Sequence, residues 1–158
     1  AVGVALLLLR MAGGYWWVQR LRHTARPLES TRVDESLARL RETLRISGAV
    51  RVLESARVLT PVVVGALKPV VLLPVGLVTG LSAKELEAVL AHELAHVRRH
   101  DYAVNLLQSV VEVIFFFHPA LWWLSARVRE ERELCCDDLA VRACGSAPAL
   151  ARALARVQ

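Results

Sequence analysis

The sequence has 158 residues, enough for one domain with a hydrophobic core, and 55% of them are hydrophobic at a mean hydropathy of +0.41. Its 20 Lys and Arg against 15 Asp and Glu give a formal charge of +5, without the stripe of basic and aromatic residues that marks a nucleic-acid interface. These values favour a membrane protein with a cytoplasmic face and argue against direct binding of nucleic acid. The three cysteines, an odd number that includes an adjacent pair, predict reduced thiols.

The first element in chain order is the segment 1–27, whose apolar part alone is too short to span a bilayer of about 30 Å. Tyr15, Trp16 and Trp17 resemble an aromatic belt, and three arginines follow before residue 27. This order is typical of the cytoplasmic end of a transmembrane helix. We therefore predict that 1–27 is the end of a truncated transmembrane helix with a basic cytoplasmic flank. A buried helix of a soluble domain is the alternative.

Next come an amphipathic helix and several short strands. Leucines at helical spacing predict a surface helix over about 34–46, and VRVLES at 50–55 predicts a strand. The Val-rich runs 62–64 and 70–73 flank a turn at 65–69, which predicts a β-hairpin. Because a proline stands at each end of this hairpin, one of its strands is expected at a sheet edge.

The second half of the chain is predicted to be helical. Ser82 and Glu85 form the pattern of a capping box, which predicts a helix running to about residue 100. Residues 102–124 are strongly apolar, with a few polar side chains at the spacing of one helical stripe, and we predict a helix in the membrane or at its edge. A central helix of a soluble core is the alternative. Pro119 interrupts this run, and a final long helix is predicted over about 121–142.

The segment HELAH carries the clearest chemical signal. His92 and His96 are four residues apart, so on a helix both imidazoles lie on one face and can bind one zinc ion. Glu93 stands beside the first histidine, where a general base is needed. Zinc in a catalytic site requires a third protein ligand and one open position for water, and it lowers the pKa of that water towards about 7.

The third ligand has several candidates in the sequence. Glu133 is the best placed, because Asp137 follows one turn later on the same helical face and can accept the second N–H of a ligand histidine. A solvated acidic face paired with neighbouring arginines is the alternative reading of this region. The remaining candidates are His100, His118, Glu112, Glu130 and Glu131.

Three segments together resemble the BlaR/MecR-type membrane zinc metallopeptidases, a family that includes antibiotic-sensing antirepressor proteases: PVVVGALKPVVLLPVGLVTGLS, LEAVLAHELAHVRRHDYAVNLL and FFHPALWWLSARVREERELCCDDLAV. The site is also similar to that of HtpX-like and CAAX-type membrane peptidases. The resemblance implies that His92, His96 and Glu133 bind zinc, that Glu93 is the general base, and that Asp137 orients a ligand.

The elements and the resemblance lead to one expected architecture. We expect an α+β, mostly helical and membrane-associated zincin-like metallopeptidase domain over 28–158, truncated at its C-terminus, with a small sheet or hairpin before the HExxH helix. The edge strand at Val62, Val63 and Val64 could hold a substrate as an added β-strand. Cys135 and Cys136 are expected to be small packing residues.

The expected function is that of a zinc metalloendopeptidase in a multi-pass protein of the cytoplasmic membrane, with its catalytic domain facing the cytoplasm. A protein is the expected substrate, with a transcriptional repressor and the chain itself as candidates, and membrane lipid is an expected partner. Two alternatives remain: a non-catalytic membrane signal-transducing module with a structural zinc, and a soluble zinc-binding domain. Because a structural site needs no base, the presence of Glu93 favours the enzyme.

Overall fold

The computed structural model describes residues 2–157, apart from the side chains of Val2, Val4 and Leu7. The first and last residues of the predicted segments, Ala1 and Gln158, therefore lie outside the described residues. In chain order the elements are α1 (Val2–Thr24), β1 (Arg26–Pro27), α2 (Thr31–Thr43), β2 (Arg51–Ser55), β3 (Val62–Val64), β4 (Val70–Pro74), α3 (Leu77–Gly80), α4 (Ala83–Arg98), α5 (Asp101–Ile114), α6 (Pro119–Cys144) and α7 (Ala147–Val157). The predicted α+β class, mostly helical with a small sheet, is confirmed.

The sheet has the strand order β1-β2-β4-β3 and mixes two kinds of pairing. The predicted hairpin is confirmed, because β3 and β4 pair antiparallel with Val62 opposite Leu72 and Val64 opposite Val70. The predicted edge position is also confirmed, since β3 closes one side of the sheet. In contrast, β2 and β4 pair parallel, and β1 pairs antiparallel with β2. Residues 26–27 of the segment 1–27 therefore belong to the sheet.

α4 lies at the centre of the domain. It begins with the predicted capping box, in which the Ser82 side chain accepts from the backbone N–H of Glu85 and the Glu85 carboxylate accepts from the backbone N–H of Ser82. Leu86, Leu90 and Leu94 of α4 are fully buried. The helix contacts α2, α6, α7 and β3, so it is enclosed on several sides at once. This burial fixes the helix that carries the HELAH motif.

The predicted single helix over 102–124 is wrong, but the interruption predicted at Pro119 is confirmed. α5 ends at Ile114, a turn follows at 115–117, and α6 begins at Pro119. The reason is the proline: it has no N–H to continue a helical ladder, and it forces the preceding residue, His118, into an extended conformation with φ −99° and ψ 106°. A proline is well suited to the first turn of a helix, which is where α6 places it.

Large apolar side chains remain exposed on α1, on α5, in the turn 115–117 and at the start of α6. The most exposed among them are Leu9, Leu107, Phe117 and Trp123, each at least 65% exposed. α5 packs against both α1 and α6, so these side chains lie on neighbouring elements. Among residues 2–157, no helix combines the length and the apolarity needed to cross a lipid bilayer.

Candidate metal centre and active site

The two histidines of HELAH face the same point from one side of α4. Their Nε2 atoms are 3.2 Å apart, and the rings are nearly perpendicular with centroids 4.9 Å apart. This is the geometry that the i, i+4 spacing predicts for His92 and His96. Both rings are largely buried, with 10% and 18% of their side chains exposed.

Glu133 of α6 reaches the same point from the neighbouring helix. Its Oε2 lies 3.7 Å from Nε2 of His92 and 3.7 Å from Nε2 of His96. These three residues form a group whose ligand atoms all lie within 4.8 Å of one another. α6 runs antiparallel to α4, because Asp137, one turn further along α6, meets the earlier histidine, His92.

Each histidine ring is also held at its other nitrogen by a carboxylate. Nδ1 of His92 lies 2.9 Å from Oδ1 of Asp137, although the N–H is poorly aligned with that oxygen and neither atom has a well-directed hydrogen bond. Nδ1 of His96 lies 2.9 Å from Oδ2 of Asp101 in good geometry.

Asp101 is a site residue that the sequence analysis missed. It is the first residue of α5, and it is turned back towards α4 by His100, which adopts the left-handed conformation at φ 56°. A non-glycine residue with positive φ is uncommon, so the sequence gives little warning of this turn. The available signal was a carboxylate five residues after His96, just beyond the helix end.

The donor set fits a divalent metal ion. A carboxylate oxygen lies 2.9 Å from each Nδ1, which favours the tautomer with the proton on Nδ1. In that tautomer both Nε2 atoms carry lone pairs, and two lone pairs facing each other at 3.2 Å repel unless a cation binds both. Two nitrogen ligands of a tetrahedral zinc at about 2.05 Å are roughly 3.3 Å apart, close to the separation of His92 and His96. Two imidazoles and one carboxylate, with carboxylates behind the rings, suit zinc.

Glu93 lies beside this group and is almost fully buried. Burial, followed by the neighbouring carboxylate of Glu133, raises the pKa of Glu93 to about 8. Burial and then the neighbouring His96 lower the pKa of His92, which keeps that ring neutral and able to bind a metal. A carboxyl group with a pKa near neutrality can both take and return a proton, as a general base requires.

The other candidates for the third ligand lie elsewhere in the described structure. Glu112 is bound to Arg129, and Glu130 and Glu131 are both bound to Arg127. His100 and His118 are exposed residues that precede α5 and α6. Glu133 alone among the six is in the group formed by the two HELAH histidines.

A cleft of about 490 Å³ opens over the histidines and Glu93. The edge strand β3 lines it through Val62 and Val63, while Val64 is turned into the core. At the end of the cleft near the start of α4, Leu154 and Val157 of α7 give apolar surface. The cleft thus joins a free strand edge to the metal-binding side chains.

The adjacent cysteines have opposite environments. Cys135 is exposed, and Cys136 is fully buried with its Sγ 3.2 Å from Oδ2 of Asp101. Burial, followed by the hydrogen bond to Asp101, raises the pKa of the Cys136 thiol. The expectation of two packing residues is therefore wrong for the exposed Cys135. For Cys136 it is incomplete, since this buried residue also makes a polar contact beside the candidate metal-binding group.

The family model described as BlaR1 peptidase M56 matches residues 1–147 of this chain. The chain belongs to the BlaR1 peptidase M56 family. The resemblance to the BlaR/MecR-type peptidases is thereby confirmed. The match includes the whole of α4, α5 and α6, the three helices that supply the site.

The chain is also similar in sequence to individual proteins. The Regulatory protein BlaR1 of Bacillus licheniformis is 26% identical over 136 residues, which cover 86% of this chain and 22% of that protein. The Methicillin resistance mecR1 protein of Staphylococcus aureus is 36% identical over 83 residues, 52% of this chain and 14% of that protein. The Protease HtpX homolog 2 of Methanosarcina mazei is 48% identical over 50 residues, 32% of this chain and 17% of that protein. The chain spans about a fifth of these relatives or less.

Proposed function

We propose that this chain is the catalytic domain of a zinc metalloendopeptidase that cuts a protein at the cytoplasmic face of a membrane. The observation that carries the proposal is the convergence of His92, His96 and Glu133 on one point beside a buried carboxyl group, Glu93. Membership of a peptidase family supports it. A structural metal site gains nothing from a buried Glu93, because burying a carboxyl group without an ion-pair partner is costly.

The roles follow from the positions of the side chains. Zinc held by the two histidines and Glu133 would supply a Lewis acid that polarises the substrate carbonyl and makes water easier to deprotonate. Glu93 takes the proton from the attacking water and later passes it to the amine that leaves. Asp101 accepts from Nδ1 of His96, and Asp137 places its carboxylate 2.9 Å from Nδ1 of His92, so both rings keep Nε2 towards the cleft.

The substrate would bind as an additional strand on β3. This strand has a free edge, and Val62 and Val63 line the cleft that contains the metal-binding side chains. An extended peptide hydrogen-bonded to a strand edge passes its backbone carbonyls along that edge, which is how a scissile bond could be brought to Glu93. Such binding selects extended, unfolded segments more than particular side chains.

A membrane location and a regulatory role are supported by two separate observations. The exposed apolar side chains of α1, α5 and the start of α6 form a surface that lipid could cover. One relative is named Regulatory protein BlaR1 and another Methicillin resistance mecR1 protein, and the first name makes a transcriptional repressor or the chain itself a reasonable substrate. We propose a multi-pass protein of the cytoplasmic membrane as the parent of this domain.

Zinc dependence of cleavage tests the proposal. The purified protein, in detergent, is incubated with an unfolded protein such as reduced casein after removal of metal with a chelator and after stoichiometric zinc is restored. We expect one zinc per chain, no cleavage without metal, and recovery with zinc. His96→Ala serves as the matched variant that cannot bind zinc with the full ligand set. It should stay inactive when zinc is restored.

Two outcomes would contradict the proposal in different ways. A folded protein that binds zinc but cuts neither casein nor itself would favour a signal-transducing module with a structural metal. Cleavage that is equally fast in His96→Ala and in the wild type would show that another site or a contaminant carries the activity.

A further inference from the structure

Three polar groups meet behind His96, on the side of the ring away from the candidate metal position. Sγ of Cys136 lies 3.2 Å from Oδ2 of Asp101 and 3.3 Å from Nδ1 of His96. The same Oδ2 lies 2.9 Å from the same Nδ1. The thiol therefore sits at the junction of a carboxylate and a ligand histidine, on a helix different from either of theirs.

The carboxylate can only accept hydrogen bonds, so both close neighbours act as donors: the ring N–H and the thiol S–H. The Nε of Arg99 also faces this oxygen, but at 3.6 Å it is beyond the length of a good hydrogen bond. Cys136 is fully buried and Asp101 is 8% exposed, so bulk water has little access to replace the thiol. Among these groups the thiol gives Oδ2 of Asp101 its second short contact.

We propose that Cys136 is a positioning residue for the metal centre, whose thiol donates to Asp101 and so holds that carboxylate on Nδ1 of His96. This inference rests on the proposed function, because it requires His96 to be a zinc ligand. The carboxylate fixes which ring nitrogen carries the proton, and the thiol fixes the carboxylate. The thiol of Cys136 thus supports the carboxylate of Asp101, which in turn supports the ring of His96.

The adjacent cysteine provides a matched control. Cys135 has the same side chain and is the preceding residue on the same helix, but it is exposed and is not among the groups around Asp101. A general effect of removing a thiol from α6 should appear at both positions. An effect transmitted through Asp101 should appear only at Cys136.

The test is a zinc dissociation constant, measured by competition with a chromophoric chelator, for purified variants with Asp101 intact and with Asp101→Ala. Cys136→Ala and Cys136→Val both remove the donor, and Val keeps the space filled if Ala compromises folding. We expect each to weaken zinc binding by roughly three- to tenfold, as for one hydrogen bond. Cys136→Ser, which keeps a donor, and Cys135→Ala should bind within about twofold of the wild type.

The background with Asp101→Ala, which removes the acceptor, separates positioning from packing. There, Cys136→Ala should cause no further loss of zinc affinity, because the thiol acts through the carboxylate that has been removed. An equal loss in both backgrounds, or failure of Ser to restore affinity where Ala loses it, would overturn the proposal. A thiolate-to-metal absorption band in the cadmium complex that disappears in Cys136→Ala would also overturn it, since the thiol would then be a ligand.

The same series distinguishes this inference from the proposed function. If the wild type binds zinc and His92→Ala does not, the metal centre stands, and an unchanged affinity in Cys136→Ala and Cys136→Val refutes only the role of the thiol. If the wild type binds no zinc, the proposed function fails and this inference fails with it.

Discussion

Oδ1 of Asp137 lies 2.9 Å from Nδ1 of His92, one helix away and on the ring nitrogen opposite the one that faces His96. The contact places a negative charge behind a candidate metal ligand, where a carboxylate raises the basicity of the ring and favours the tautomer with the proton on Nδ1. It also links α6 to α4 next to Glu133, so one helix supplies both a ligand and a support for another ligand.

We predict that Asp137→Asn weakens zinc binding by about 10- to 100-fold without abolishing it, because an outer partner tunes a ligand and does not bind the metal itself. Asp138→Asn is the matched control, since Asp138 is the next residue and is exposed. Chelator competition at one pH measures both variants. Equal affinities for Asp137→Asn and the wild type would show that the Asp137 contact is incidental.

The acidic face of α6 offers a second comparison. Glu130 and Glu133 are one turn apart, but Glu130 is bound to Arg127 while Glu133 faces the two histidines. We predict that Glu133→Ala abolishes tight zinc binding and that Glu130→Ala leaves it close to unchanged, because exposed ion pairs contribute little. Isothermal titration with zinc would decide between them. If Glu130→Ala instead abolished tight zinc binding, the third ligand would be Glu130, one turn before Glu133.

The part of the site on α4 could be predicted from the sequence, because the signals for it lie within that helix. The capping box at Ser82 and Glu85 marks where α4 begins, and the i, i+4 spacing then fixes that His92 and His96 share a face. The hairpin of β3 and β4 was accessible for the same reason, since turn residues separate two Val-rich runs.

The remainder depends on contacts between distant segments. The position of Asp101 depends on the left-handed backbone at His100, which no residue type in that turn demands. The parallel pairing of β2 with β4 depends on a crossover through β3, and short strands do not encode their partners. Pro119 marked a break in the apolar run, but the end of α5 at Ile114, five residues earlier, was missed because the run stays apolar across the turn.

Glu93 should make the stability of the metal-free protein depend on pH. Its pKa is raised from an ordinary value near 4.5 to about 8, so the folded state favours the neutral acid. Below about pH 4.5 Glu93 is neutral in both the folded and the unfolded state, so it does not change the free energy of unfolding. As pH rises towards 8 the unfolded state ionises first, and folding stability falls progressively by up to about 5 kcal/mol.

We therefore predict that Glu93→Gln, which cannot ionise, becomes more stable relative to the wild type as pH rises from 5 to 8, with no further change above about 9. Urea unfolding with a chelator present, at pH 5, 7 and 9, measures the difference. Adding zinc should reduce it, because a nearby cation stabilises the ionised carboxylate. A difference that is independent of pH would contradict the raised pKa.

Substrate binding on β3 predicts that cleavage depends on alternate backbone N–H groups of the substrate peptide. In an added strand, every second backbone N–H points at the edge and the others point away. N-methylation of successive residues in a peptide that is cleaved should therefore block cleavage at alternate positions. Peptide assays by mass spectrometry would show the alternation. Equal tolerance at all positions would mean that the substrate does not pair with Val62 to Val64.

The most direct test of the central claim is the rate of cleavage by Glu93→Gln that retains its zinc. Gln preserves the shape of the side chain but cannot take a proton from water. Metal analysis and cleavage of reduced casein are measured on the same sample. The account predicts one zinc per chain and a rate at least about 100-fold below that of the wild type. A zinc-loaded Glu93→Gln variant that cleaves at nearly the wild-type rate would show that Glu93 is not the base.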